Sequence, residues 1–366
     1  MGTDIRRTPL HDVHERLGAK FTDFAGWQMP LRYTGDVAEH TAVRTGAGLF
    51  DLTHMGEILL SGPQAGQALD YALVGNASAI GVGRARYTMI CDDNGGILDD
   101  LIVYRTGDQD YLVVANASNA ALVAGELIDR AEDFDTEVRD ASTEYALIAL
   151  QGPRSVALLA PLTPTDLSTV KYYASYPTTV AGRPALLART GYTGEDGFEL
   201  FVAPDDAEAV WAAVAGAGEV LPCGLSCRDT LRLEAGMPLY GNELTTELTP
   251  YAAGLGRVVK LDKPSDFVGR AALQKASAET PARKLVGLVT ESRRAPRHGY
   301  PVVDPADGAR IGEITSGAPS PTLGHAIAMA YVDADRAVPG SALAVDIRGT
   351  ITPVDVVELP FYRRSS

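Results

Sequence analysis

The sequence predicts an α+β protein in which mixed helix-and-strand segments precede a small all-β domain. Three observations carry this. At 366 residues the chain accommodates roughly two or three domains of about 100–200 residues each. Segments with helical spacing alternate with short apolar strands through the first three quarters of the chain. After KASAETPARK, near residue 280, helical periodicity ends and short strands separated by Pro and Gly take over.

The elements follow in order. Between Leu10 and Tyr71, HTAVRTGAGLFDLT reads as a helix that breaks into the strand GEILLSG. In QAGQALDYALVG, Ala65, Ala68, Leu69, Ala72 and Leu73 recur at helical spacing, with Gly75 as the expected stop. The Asn-Gly pair of CDDNGG marks a hairpin turn, so ARYTMI and ILDDLIVYR are expected to pair antiparallel across it. YLVVANASNAALVAGELIDRA and YALIALQGPRSVALLAPL each read strand, turn, helix. Asp205, with Glu208 three positions later, resembles a capping box opening AEAVWAAVAG. In SCRDTLRLEAG, Arg228 and Arg232 lie four apart on one helical face, and Gly236 is the expected C-terminal cap. The final strands, KLVGLVT, YPVVD, RIGEITSG, AIAMAYV, ALAVDI and PVDVVEL, imply a small barrel or sandwich. No repeat of 20–50 residues and no low-complexity tract interrupts the pattern.

Bulk properties exclude several classes. The net charge of -15 argues against a general nucleic-acid binder, because phosphate backbones select basic surfaces. No apolar run approaches the roughly 18 residues of a membrane span, and MGTDIRRTPLHDVHERLG lacks the apolar core of a signal peptide, so a cytoplasmic protein is expected. Neither a G-x-x-x-x-G-K-[ST] loop nor a G-x-G-x-x-G fingerprint is present to suggest a nucleotide. The three cysteines, Cys91, Cys223 and Cys227, cannot form a disulfide framework. Cys223 and Cys227 have no His cluster to complete a zinc site, so small buried thiols are expected and no metal.

GGILDDLIVYR poses the sharpest question, because it sets two carboxylates inside an apolar strand. Successive strand side chains point to opposite faces, so Asp100 shares one with Leu98, Ile102 and Tyr104, and Asp99 shares the other with Ile97, Leu101 and Val103. From this stretch alone, an edge strand protected by inward charge competes with a catalytic carboxylate.

Three glycine-marked segments carry charge beside apolar residues: GGILDDLIVYR, RTGYTGEDGFELFV and GLSCRDTLRLEAGMPLYGNEL. Together with RRTPLHDVHERLGAKFTDFAGWQMPLRY, FDLTHMGEI, ALQGP, ITSGAPSPTLG and LPFYRR, in this order over nearly the whole chain, they resemble the aminomethyltransferase (T-protein) family of the glycine cleavage system. The resemblance implies transfer of a one-carbon unit from an aminomethyl group on the lipoyl arm of a partner H-protein to tetrahydrofolate. The products are 5,10-methylenetetrahydrofolate and ammonia. It also implies a three-domain cloverleaf around a central folate site, with two interleaved α+β domains over residues 1–275 and a C-terminal β-barrel over 280–366.

Residue by residue, the family's catalytic carboxylate falls on Asp100, where an aspartate can orient the attacking folate amine and stabilise an iminium-like centre. Asp99 is then assigned to structure. Glu199 in GFEL matches the pterin-binding acid, since a carboxylate accepts two parallel bonds from an amide-type N–H and an adjacent amino group. Arg228 matches the folate-site arginine, against the alternative of a helix-surface ion pair with Asp229 or Glu234, while Arg232 is read as structural. Tyr87, Asn116 and Tyr192 match ligand contacts in ARYTM, VANAS and GYTGE, as does Met55 in THMGE. Near the C-terminus Arg363 matches a folate contact, with Arg364 and Tyr362 as alternatives. Arg293, Arg294 and Arg297 are weak candidates for carrier docking beside the simpler reading of a solvated loop.

Rival readings share parts of this pattern. A folate-dependent demethylase would use the same scaffold with a different donor. A non-catalytic folate-binding relative involved in iron–sulfur maintenance would carry K-G-C-Y-x-G-Q-E where this chain has RTGYTGEDG. A module of a flavin-dependent amine oxidase would bring the nucleotide fingerprint that is missing.

Overall fold

The computed structural model describes residues 5–292 and 294–364, so Arg293 lies outside the described residues. The chain begins α1 (His11–Arg16), β1 (Lys20–Phe24), β2 (Trp27–Arg32), α2 (Asp36–Thr45), β3 (Gly48–Asp51), β4 (Gly56–Ser61) and α3 (Ala65–Ala72). It continues with β5 (Arg84–Cys91), β6 (Ile97–Arg105), β7 (Asp110–Ala115), α4 (Ala120–Arg130), β8 (Glu137–Asp140), β9 (Ala146–Gln151) and α5 (Ser155–Leu159). Then come β10 (Ser175–Val180), β11 (Arg183–Ala188), β12 (Gly197–Val202), α6 (Ala207–Ala215), β13 (Leu221–Pro222), α7 (Leu225–Glu234) and α8 (Arg270–Ser277). The last strands are β14 (Arg283–Thr290), β15 (Pro301–Val303), β16 (Arg310–Pro319), β17 (Ala326–Asp333), β18 (Ala342–Ile347) and β19 (Thr350–Val357). The chain divides into two units. The first holds the residues up to Ala72 with Asn76–Thr88 and Leu101–Asp229, and the second holds Leu73–Gly75, Met89–Asp100 and the chain from Thr230 onward.

The first unit is built on a six-stranded sheet in the order β10-β11-β12-β9-β3-β13, antiparallel except for the parallel β13–β3 pair. All residues of β9 and β12 are buried, as the apolar runs ALIALQ and GFELFV require. Ile148, Leu150, Phe198 and Leu200 pack with Val210, Trp211 and Val214 of α6 in one core, each large side chain stabilising by roughly 1.5–3 kcal/mol. Further strands form a five-stranded sheet in the order β5-β6-β7-β4-β8. Gly56 permits its close approach to α4, because a Cβ there would lie 2.5 Å from that of Ala120.

Several expectations are corrected here. The helix read through HTAVRTGAGLFDLT stops at Thr45, and GLFD is the wholly buried strand β3. Gly48 is needed where this strand meets α2, since a Cβ would approach Val43 Cγ2 to 2.4 Å. β6 lies between β5 and β7, and its register with β7 runs over Ile102–Arg105, beyond the two acids. α3 ends at Ala72 rather than at Gly75, because the next backbone groups bond elsewhere: the Val74 N–H donates to the Met89 carbonyl, and the carbonyls of Leu73 and Gly75 each accept from Lys263 Nζ at 2.6 Å. The capping box is absent. Pro204 opens a 3-10 turn, Pro204–Asp206, which takes in Asp205, and Asp206 precedes α6 without a side-chain cap bond.

The second unit holds a closed barrel in the order β14-β17-β16-β15-β18-β19, with β19 returning to β14. All six C-terminal segments form the strands expected of them. Val286, Leu288, Val302, Ile314, Val345 and Val356 fill its interior from alternating positions. The same unit contains the tip of the β5–β6 hairpin. There the Asp92 N–H meets the Gly96 carbonyl at 2.9 Å, and Gly95 takes φ +81°. Gly96 leaves no room for a side chain, because a Cβ would sit 2.1 Å from the Thr246 carbonyl oxygen. At the end of α7, Gly236 (φ +64°) donates to the Leu233 carbonyl and Met237 to that of Arg232, the paired bonds of a Schellman cap, as the sequence anticipated.

Candidate functional site

β12 supplies the first functional side chain. Glu199 is held in register between Ala188 of β11 and Ala149 of β9, and it shares a strand face with Phe201. The rings of Tyr104 from β6 and of Tyr145 meet Phe201 edge-on at 5.6 and 6.2 Å. Glu199 is 8% exposed. Its Oε2 accepts from Thr190 Oγ1 at 2.5 Å and from the Tyr104 hydroxyl at 3.3 Å, and the two hydroxyls lie 3.0 Å apart. Burial pushes the Glu199 carboxyl up, and the Thr190 bond, the Arg228 charge and the Tyr104 bond oppose that rise. Burial and Glu199 together hold the Tyr104 phenol well above its ordinary value.

The loop between β11 and β12 is stapled so that Thr190 and Tyr192 keep their places. Arg189 grips both carboxylate oxygens of Asp196, at 2.9 and 2.6 Å. Gln151 donates to the Thr190 carbonyl at 3.1 Å and accepts from Thr193 Oγ1 at 2.8 Å. Arg44 reaches the Thr193 carbonyl and Glu195, at 2.7 and 2.9 Å. Gly191 is required because a Cβ there would lie 2.1 Å from Gln151 Oε1. From the first turn of α7, the Arg228 guanidinium lies over the Tyr192 ring, 4.8 Å from its centroid. Three residues named from the sequence, Glu199, Arg228 and Tyr192, are thereby brought together.

Arg228 also lines a narrow cleft with Phe50, Asp51, Leu52 and Cys223. Asp51 Oδ2 accepts from Thr8 at 2.6 Å and meets His14 Nε2 at 2.9 Å, while Oδ1 accepts the Thr53 N–H at 3.0 Å. Burial works to raise the Asp51 carboxyl, yet these donors hold it below its ordinary value. The turn that follows, closed by the Met55 N–H on the Leu52 carbonyl at 2.9 Å, presents His54 and Met55. His54 is buried, with Nδ1 unpartnered and its ring edge-on to Phe24. Burial and the Arg228 charge lower it to about 4, so it is neutral at physiological pH. A roomier recess of about 240 Å³, lined by Leu59, Thr106, Asp110, Tyr111 and Arg139, shares no residue with this group.

The other named residues are placed as follows. Met55 stands before β4 and Asn116 after β7, and the Gly56–Ala115 pairing brings these two ends side by side. Tyr87 is half-buried in β5. In β6, Asp99 is wholly buried and Asp100 half-buried, and the Tyr240 hydroxyl is raised by burial and by the charges of both acids. In the second unit the Tyr362 N–H donates to the Glu234 carbonyl at 2.8 Å, and Arg363 is exposed. Arg232 is structural as expected: fully buried, it pairs with the equally buried Glu243 at 2.9 Å and donates to Ser316 Oγ at 2.7 Å. The three cysteines are free and buried.

Thr190, Tyr104, Asp51 and His54 were not singled out from the sequence. Only the proximity of Thr190 and His54 to GYTGEDG and to Met55 could have pointed to them.

A family model described as the GCVT N-terminal domain matches residues 10–263, and one described as the glycine cleavage T-protein C-terminal barrel domain matches 283–363. An aminomethyltransferase of Saccharopolyspora erythraea is 71% identical over 99% of both chains, and one of Streptomyces coelicolor is 64% identical over the same shares. The crystal structure of the glycine cleavage system aminomethyltransferase T from Bartonella henselae superposes with a TM-score of 0.93 at 37% identity, covering 98% of each chain. With both family models matched in order, the chain belongs to the aminomethyltransferase, or glycine cleavage T-protein, family.

Proposed function

We propose that the protein transfers the one-carbon unit of an aminomethyl group, carried as a thioether on the lipoyl arm of an H-protein, to tetrahydrofolate. The two folate N–H hydrogens leave with ammonia and the regenerated thiol as the methylene bridge forms. Membership of the aminomethyltransferase family supports the reaction class, with tetrahydrofolate as substrate and H-protein as partner. The observation that carries the reading is Glu199: a buried carboxylate kept receptive by two hydroxyls and the Arg228 charge is suited to an edge with adjacent N–H donors. Arg228 and Tyr192 offer a flat, cationic surface on which an aromatic ring can stack.

Asp100 is the proposed catalytic carboxylate. It orients the attacking folate amine and stabilises the positive charge that develops on the one-carbon centre. Its half-buried setting supports this role, and the full burial of Asp99 supports a structural one for its neighbour. Tyr87, Asn116, Met55 and Arg363 are proposed as folate contacts, the last in exchange with Arg364 or Tyr362. Residues 1–275 are proposed as the folate-binding region and 280–366 as a separate barrel domain. Among the described residues no helix is long and apolar enough to cross a membrane, and a cytoplasmic location is proposed.

The test is turnover with aminomethylated H-protein and tetrahydrofolate, following ammonia and methylenetetrahydrofolate. Both should appear together. Turnover with free small amines in place of loaded H-protein would favour the demethylase reading.

A further inference from the structure

We propose that Tyr104 and Thr190 are positioning residues that clamp one oxygen of Glu199, so that tetrahydrofolate is received by the other. This rests on the reading of Glu199 as the acid that meets the folate. The three side chains form a closed triangle of contacts at 2.5, 3.0 and 3.3 Å, and both contacts to Glu199 fall on Oε2. Only two hydroxyl hydrogens serve the three contacts. The Thr190 hydrogen goes to Glu199 across the shortest, so the Tyr104 hydrogen is shared between Thr190 Oγ1 and Glu199 Oε2. The chain Tyr104 to Thr190 to Glu199 therefore polarises in one direction, toward the carboxylate.

Each member is itself fixed. Thr190 is 1% exposed and its carbonyl is bound by Gln151, while the Tyr104 ring is 1% exposed and packed on Phe201. With Oε2 occupied by two donors, an amide-type N–H and its neighbouring amino group converge on the two lone pairs of Oε1, in place of the one-bond-per-oxygen fork expected from the sequence. The clamp also fixes the Glu199 rotamer before the ligand arrives, so less side-chain freedom is lost on binding. The groups that act on this carboxylate are Thr190 from the loop, Tyr104 from β6 and Arg228 from α7, and Tyr173 acts in turn on Tyr104.

The experiment measures tetrahydrofolate affinity by calorimetry between pH 5 and 8, with kcat and KM, for Thr190→Val, Thr190→Ser, Tyr104→Phe and Glu199→Gln. Thr190→Val should weaken binding at least about tenfold, as expected for loss of a hydrogen bond to a charged group. Thr190→Ser, which keeps the hydroxyl, should restore it. Tyr104→Phe should weaken binding less. In both clamp variants KM should rise with kcat nearly unchanged. Removing donors that favour the ionised acid should also move the low-pH loss of affinity to higher pH, which a packing defect would not do. If Glu199→Gln loses affinity while Thr190→Val and Tyr104→Phe keep wild-type affinity and pH profile, the clamp is overturned and Glu199 stands. If Glu199→Gln binds like the wild type, the reading of Glu199 falls and the clamp with it.

Discussion

Glu57 offers the clearest quantitative test of the physical picture. It lies in β4 opposite Val114, 1% exposed, with both carboxyl oxygens buried and without a hydrogen-bond partner. Its backbone is satisfied by Ser142 Oγ and by the Ala141 N–H. Burial first, and then the Asp140 charge, push this carboxyl well above the ordinary value, so the folded protein keeps it protonated where the unfolded chain releases the proton near pH 4.3. The native state binds the extra proton, so stability falls as pH rises from about 4.3 through the folded-state value, by up to about 1.4 kcal/mol per pH unit inside that window. Glu57→Gln removes the titration at nearly constant shape. The assay is guanidinium unfolding of wild type and variant at one-unit steps from pH 4 to 9. The two should be closest at pH 4 and diverge as pH rises, the variant becoming the more stable. Parallel stability profiles across that range would refute the reasoning, because they would mean that Glu57 finds a partner or water when ionised.

Further outcomes follow from other sites. Asp100→Asn should keep tetrahydrofolate affinity within about tenfold, or ~1.4 kcal/mol, while turnover falls much further. A folded Asp99→Asn variant that is equally inactive would show that the catalytic role belongs to the other acid. Arg232→Met strands the buried Glu243 carboxylate and should cost about 3–5 kcal/mol in denaturant unfolding, most of it recovered by adding Glu243→Leu. A single-variant loss below about 1 kcal/mol would contradict the pairing. Gly96→Ala drives a methyl against the Thr246 carbonyl and should destabilise by about 1–3 kcal/mol, and an unchanged thermal transition would count against that close approach.

What the linear sequence determined is whatever depends on neighbours along the chain. The six barrel strands were legible because alternation and Pro/Gly punctuation are local, and the Asn-Gly hairpin and the Gly236 cap because left-handed backbone favours glycine. The ordered glycine-rich and acidic motifs likewise identified the family and picked out Glu199, Arg228 and Tyr192. Where local signals competed with packing, packing won. GLFD reads as part of a helix and is a buried strand between β9 and β13, and Asp205 reads as a cap and lies inside a proline-led turn. Tertiary structure alone decided that Tyr104 and Thr190, 86 residues apart, close on one oxygen of Glu199, and that the Glu57 carboxyl is buried with no hydrogen-bond partner among the described residues. Such meetings arise between strands distant in the chain, and no periodicity encodes which of their side chains share a buried space.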